Sequence, residues 1–206
     1  MVTNQRERMP RFKLVIFDFD DTLVHLKVDW NDVRREALKI AIKEKIFLDP
    51  KEHLVVIGNQ LSKTSSLKNE LDDVYRRYEK AAVDQIGYSA IGHMAALAKE
   101  LHKAGYKIGL ASGNHTSNLR AILSRLGILK SFDVVCGRDS IWNNKPAPDQ
   151  LVFIMQRTGI EKSEVLFIGD SKFDEEAAQA AGVVFFKVSK PPSETDVPRI
   201  RELLSS

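Results

Sequence analysis

Phe12-Lys13-Leu14-Val15-Ile16-Phe17-Asp18-Phe19-Asp20-Asp21-Thr22-Leu23 begins as an apolar run and ends in three aspartates. The run shows no polar alternation, as expected of a strand buried on both faces in a parallel sheet. Four more short runs rich in Val, Ile and Phe follow at residues 106–111, 132–136, 165–169 and 183–188. Helical patterns lie between them, and each stops at a glycine: 89–104 before Gly105, 115–126 before Gly127, 148–158 before Gly159 and 173–181 before Gly182. Glycine just past a helix end adopts the left-handed cap conformation at little cost. The repeat of helix, glycine and strand predicts an α/β fold with a doubly wound, mainly parallel sheet.

One connection breaks the rhythm. Residues 21–105 separate the first strand from the second, where a crossover of a dozen or so residues would suffice. Segment 89–104 can serve as the crossover helix, which leaves residues 24–88 as an insertion with helical patterns at 31–45, 51–60 and 66–85. Leaving from the C-terminal end of a strand, it would sit over the crevice where such sheets bind ligands. The expected division is therefore a core of residues 1–23 and 89–206 and a small α-helical cap of residues 24–88. The tail at 190–193 reads as a turn, followed by a short helix at 197–204.

With 206 residues, 43% hydrophobic and 29% charged, the chain can bury a sizeable core, and general disorder is excluded. The net charge of +3 is dispersed, so nothing marks a nucleic-acid-binding arm. The single cysteine, Cys136, cannot form an internal disulfide and reads as a small buried hydrophobe. Residues 1–11 are charged and lack the apolar stretch of a secretory leader, and no run of 18 apolar residues would span a membrane. A soluble cytoplasmic protein, monomeric or a small homo-oligomer, is the expectation.

Alternate residues share a strand face, so Leu14 and Ile16 lead to Asp18 and Asp20 on one side. Carboxylates at the end of a buried strand are costly unless compensated. The fourth run ends similarly, in Gly169-Asp170-Ser171-Lys172-Phe173-Asp174. There Asp170 could cap the next helix and Asp174 could lie in its first turn. Four carboxylates at two strand ends, with no His/Cys cluster, suit Mg²⁺. The second run ends in Ser112-Gly113-Asn114, where a hydroxyl and backbone N–H groups at a helix start can hold an anion, although a plain turn would use the same residues. In Lys145-Pro146-Ala147-Pro148-Asp149 the prolines stiffen the approach to a helix and fix one lysine before it.

In this order, Asp18-Phe19-Asp20-Asp21-Thr22, Ser112, Lys145-Pro146 and Gly169-Asp170-Ser171-Lys172-Phe173-Asp174 resemble the four motifs of the haloacid dehalogenase-like hydrolase superfamily, which has a Rossmann-like core. The insertion resembles the helical cap of the phosphoglycolate phosphatase and β-phosphoglucomutase branch. The resemblance implies that Asp18 attacks phosphorus to form an aspartyl-phosphate. It implies that Asp20 protonates the leaving group and then activates water. Thr22 would hold the Asp20 carboxylate. Asp18, the Asp20 carbonyl and Asp170 would bind Mg²⁺, and Ser112, the amides of Gly113 and Asn114, and Lys145 would grip the phosphoryl oxygens. Asp174 would orient Lys145 or a metal-bound water. Asp21 departs from the pattern, since many members carry glycine there.

An aspartate two residues after the nucleophile argues for an oxygen leaving group, because a halide needs no proton. The implied function is a Mg²⁺-dependent phosphatase acting on a small phosphorylated metabolite. The enzyme alternative is a phosphomutase of the β-phosphoglucomutase type. A receiver-type signalling domain is the non-enzyme alternative, but the third run ends in Val134-Val135-Cys136-Gly137 with no phospho-acceptor. Candidates for substrate choice in the cap are His25, Lys27, Trp30, Arg34, Arg35, Tyr75, Arg76, Arg77 and Tyr78; the arginine pairs equally read as solvated helix faces.

Overall fold

The computed structural model describes residues 11–205, so almost all of the segment read for a leader lies outside the described residues. In chain order the first part contains β1 (Leu14–Phe17), β2 (Val24–Leu26), α1 (Trp30–Lys43), α2 (Leu54–Leu61), α3 (Ser65–Asp84) and β3 (Tyr88–Ala90). The remainder contains α4 (Gly92–Lys103), β4 (Lys107–Ala111), α5 (Thr116–Arg125), β5 (Val134–Cys136), α6 (Asp149–Thr158), β6 (Val165–Gly169), α7 (Lys172–Ala181), β7 (Val184–Lys187) and α8 (Asp196–Ser205). Five strands form one parallel sheet in the order β5-β4-β1-β6-β7, with β1 at its centre. Leu14 pairs with Lys107 on one side and with Val165 on the other, which brings the C-terminal ends of β1, β4 and β6 level.

The two-residue period of β1 serves two cores. Val15 and Phe17 pack with Met94, Leu97, Leu119, Ile122 and Ile200 on the α4/α5/α8 face. Leu14 and Ile16 pack with Leu151, Ile154, Ala177 and Ala178 on the α6/α7 face. Both faces are thus covered, which is why β1 reads as unbroken apolar sequence. At the edge, β7 is only half-buried. On β4, a Cβ on Gly109 would stand 2.7 Å from Ile154 Cγ2, so glycine lets α6 press against the sheet.

The helices between β2 and β3 have an apolar centre of their own, including Val33, Ala37, Ile57, Leu61, Leu71 and Val74. α1 starts at Asp29, whose side chain accepts from the Asn31 and Asp32 amides. A helical pattern expected at residues 89–104 begins later than anticipated. Ser89 and Ala90 belong to β3, which pairs antiparallel with β2 (His25 opposite Ser89) and makes a ribbon at the root of the insertion. Ribbon partners more than 60 residues apart leave no local turn signal.

Candidate active site

The ends of β1, β4 and β6 bring together most of the residues singled out in sequence. Lys145 lies partly buried between two carboxylates, its Nζ 2.6 Å from Asp18 Oδ1 and 2.6 Å from Asp174 Oδ1, and it also donates to the Ala111 carbonyl at 3.2 Å. Burial alone would disfavour its charge, but Asp174 and Asp18 hold Lys145 above the usual lysine range. Burial pushes the Asp18 carboxyl from its ordinary 3.8 up to about 7; Lys145 opposes this and Asp174 adds to it. Burial and the proximity of Asp18 hold Asp20 well above the carboxylate range, against a hydrogen bond from Asn114. Asp20 Oδ2 accepts from Asn114 Nδ2 at 2.5 Å, and Oδ1 is sealed from solvent without a partner.

Asp174 sits in the first turn of α7, but Ser171 caps that helix, not Asp170 as expected. Ser171 and Asp174 form a reciprocal capping box, with Asp174 Oδ2 accepting from the Ser171 amide at 3.0 Å and from its hydroxyl at 2.5 Å. Gly169 is required here, because a Cβ would stand 2.7 Å from Asp174 Cγ. Asp170 is thereby left facing the cleft, where Lys190 donates to it at 2.8 Å and to Asp21 at 3.1 Å. Asp21 has φ +55°, in the left-handed region that favours glycine.

Thr22 and Ser112 are both buried beside this cluster, with different surroundings. Thr22 does not hold the Asp20 carboxylate: its hydroxyl is buried without a partner. Ser112 is wholly buried and accepts from the Asn114 amide at 3.1 Å and from Asn114 Nδ2 at 3.2 Å, so that amide is engaged within its own loop. Gln150, on α6, donates to the Ser112 carbonyl at 2.7 Å and fixes the loop from below. Cys136 is buried, and burial pushes its thiol up to about 12, which makes it a poor nucleophile.

Among the described residues, one carboxylate oxygen from each of Asp18, Asp170 and Asp174 lies within 4.8 Å of the other two. A buried set of hard oxygen donors fits a divalent cation. Above it, a cavity of about 620 Å³ opens between the core and the inserted helices. Of the cap candidates, Trp30, Arg34 and Tyr75 line this cavity. His25 and Lys27 line a smaller groove beside it. Arg35 pairs with Asp32, and Arg76 with Asp73, each along its own helix.

The cavity also exposes what sequence reasoning missed: His53, Lys68, Glu79, Arg138, Lys172 and Lys190. Glu79 and Arg138 are buried and paired, although 59 residues separate them in sequence. The only available signal was one of composition, an acidic residue within the apolar stripe of α3.

The profile of the haloacid dehalogenase-like hydrolase family matches residues 15–188, which include every strand end of the cleft. This chain belongs to the haloacid dehalogenase-like hydrolases, in the phosphoglycolate phosphatase-like branch. A phosphoglycolate phosphatase of Vibrio vulnificus is 29% identical over 188 residues, covering 84% of this chain and 82% of its own. The match to the phosphoglycolate phosphatase of Escherichia coli is 36% identical over 112 residues but spans only 44% of that protein. A solved chain from Lactobacillus plantarum superposes with a TM-score of 0.68 at 22% identity, covering 93% of this chain and 99% of that one, and so shares the fold. This hydrolase has no helix among the described residues that is long and apolar enough to cross a membrane.

Proposed function

We propose that the chain is a Mg²⁺-dependent phosphatase that hydrolyses a small phosphorylated metabolite of the phosphoglycolate kind through an aspartyl-phosphate on Asp18. The observation that carries this reading is the pairing at the end of β1: Asp18 is held on the Lys145 ammonium at 2.6 Å, while Asp20, two residues on, is held by Asn114 in a buried position that favours its protonated form. Nucleophile and acid thus share one strand end, the first paired with a cation and the second biased toward its acid form, as an oxygen leaving group requires. The relatives named phosphoglycolate phosphatase support the same chemistry.

In the first step an Asp18 oxygen bonds to phosphorus as the ester P–O bond breaks, and Asp20 gives its proton to the departing oxygen. In the second, Asp20 takes a proton from water, whose oxygen attacks phosphorus; inorganic phosphate leaves and the Asp18 carboxylate returns. Lys145 offsets the negative charge that gathers on the phosphoryl oxygens. Asp174 and Asn114 act as positioning residues, the first for Lys145 and the second for Asp20. Mg²⁺ would be held by Asp18, the Asp20 carbonyl and Asp170, and would offset the charge of a dianionic substrate. Residues 24–88 would cover the cleft and select the substrate, with Arg34 the cationic candidate on their side.

The test is phosphate release from 2-phosphoglycolate, hexose phosphates, phosphoserine, nucleotides and pyrophosphate, with Mg²⁺ or with chelator, with Asp18→Asn alongside. Metal-dependent release from one compound class, lost in the variant, is the expected result. An isomerised substrate without phosphate release would make the chain a mutase instead.

A further inference from the structure

We propose that Arg138 is a positioning residue for Asp20, acting through the backbone of Asn114 and held in place by the inserted helix α3. This inference rests on the phosphatase reading of the site. Arg138 follows β5 and is only 6% exposed, so its guanidinium needs acceptors on every side. It donates to the Asp72 and Glu79 carboxylates on α3, and to the Gly113 carbonyl at 2.9 Å. The Tyr75 ring lies over it, 5.0 Å from ring centroid to guanidinium carbon.

The clamp closes on Asn114 from both sides. The Arg138 amide donates to the Asn114 carbonyl at 3.1 Å, while its side chain takes the carbonyl of Gly113. Glu79 accepts the His115 amide at 3.0 Å and Asn118 Nδ2 at 3.2 Å through its other oxygen. The two peptides flanking Asn114 are therefore pinned by one buried ion pair. A Cβ on Gly137 would stand 2.5 Å from the Asn114 carbonyl, so glycine is what allows Arg138 to come this close. With its backbone fixed, Asn114 presents Nδ2 to Asp20.

A second staple joins the same partners. Lys68, at the start of α3, donates to the carbonyls of Ile141 at 3.1 Å and Trp142 at 2.6 Å, and lies over the Trp142 ring. The strap from Gly137 to Lys145 is thus tied to α3 at two points, and the position of the inserted helices is transmitted to the acid.

The test compares Arg138→Met, Asp72→Asn and Asn114→Ala, singly and combined, in the full chain. Steady-state hydrolysis should show kcat down about tenfold or more in Arg138→Met with KM within about threefold, since the lost interaction acts on proton transfer. In the Asn114→Ala background, adding Arg138→Met should cost less than about threefold, because both changes act through one group. Full additivity would overturn the proposal. Amide exchange supplies a readout without turnover: exchange at residues 114–116 should rise in Arg138→Met while β1 and β6 stay protected. Unchanged exchange there would overturn the clamp even if the wild type releases no phosphate, and failure of the wild type alone would count against the phosphatase reading. Asp72→Asn keeps the Glu79 pair and serves if Arg138→Met does not fold; the same kcat loss and loop-specific exchange are expected, smaller in size, and their absence overturns the proposal.

Discussion

Asp18 is held where a carboxylate is uncomfortable, and that discomfort is measurable. Its folded value near 7 stands above the ordinary 3.8, so between those pH values the folded chain keeps a proton that the unfolded chain has released. Stability therefore falls as pH rises through this window, and the full penalty is present above pH 7. Asp18→Asn removes the penalty but weakens one contact of Lys145. In metal-free protein the variant should be more stable than wild type by about 1–3 kcal/mol at pH 7.5, with the difference vanishing near pH 4. Thermal unfolding at the two pH values checks this, and a variant no more stable at pH 7.5 would show that Lys145 already neutralises the site. The same variant should lose phosphate release altogether, since an amide oxygen cannot carry the phosphoryl group through to hydrolysis.

Helix ends carry the next level of organisation. Gly159 and Gly182 close α6 and α7 in the left-handed conformation, at the cheapest residue for it. α3 ends differently. Gly87 donates to the Ala82 carbonyl at 2.7 Å and Ile86 to that of Val83, which leaves the β-branched, 70% exposed Ile86 at φ +54°. That conformation is strained for isoleucine, and the side chain gains little burial in return. Ile86→Gly should stabilise the protein by about 1 kcal/mol without changing turnover, as judged by denaturant midpoint and initial rate. A loss of stability would mean that the freer unfolded chain of the glycine variant outweighs the relief of strain at Ile86.

Across the whole molecule, the cleft between sheet and inserted helices concentrates charge from distant parts of the chain. Asp18, Asp170 and Asp174 stand together against Lys145 and Lys190, and a divalent cation would relieve the remaining repulsion. Magnesium at a hundredfold excess over its Kd should raise the melting temperature by about 5–10 °C, and chelator should reverse this. Asp170→Asn should reduce the shift, which calorimetry or fluorescence melting would register. An equal shift in the variant would place the cation elsewhere.

The fold was legible because its signals are local. A strand covered on both faces must be apolar throughout, and a helix that stops in the left-handed conformation calls for glycine, so both leave marks readable within a few residues. The aspartates of the cleft were legible for a related reason: a carboxylate that ends an apolar strand stands out against its neighbours. The β2–β3 ribbon left no such mark, nor did the Arg138–Glu79 pair, the engagement of Ser112 with Asn114, or the reach of Lys190 to Asp170. Each joins groups whose chemistry is unremarkable until packing removes water from around them. A buried arginine and a solvated one are spelled with the same letter, and only the three-dimensional arrangement of partners makes one of them a clamp.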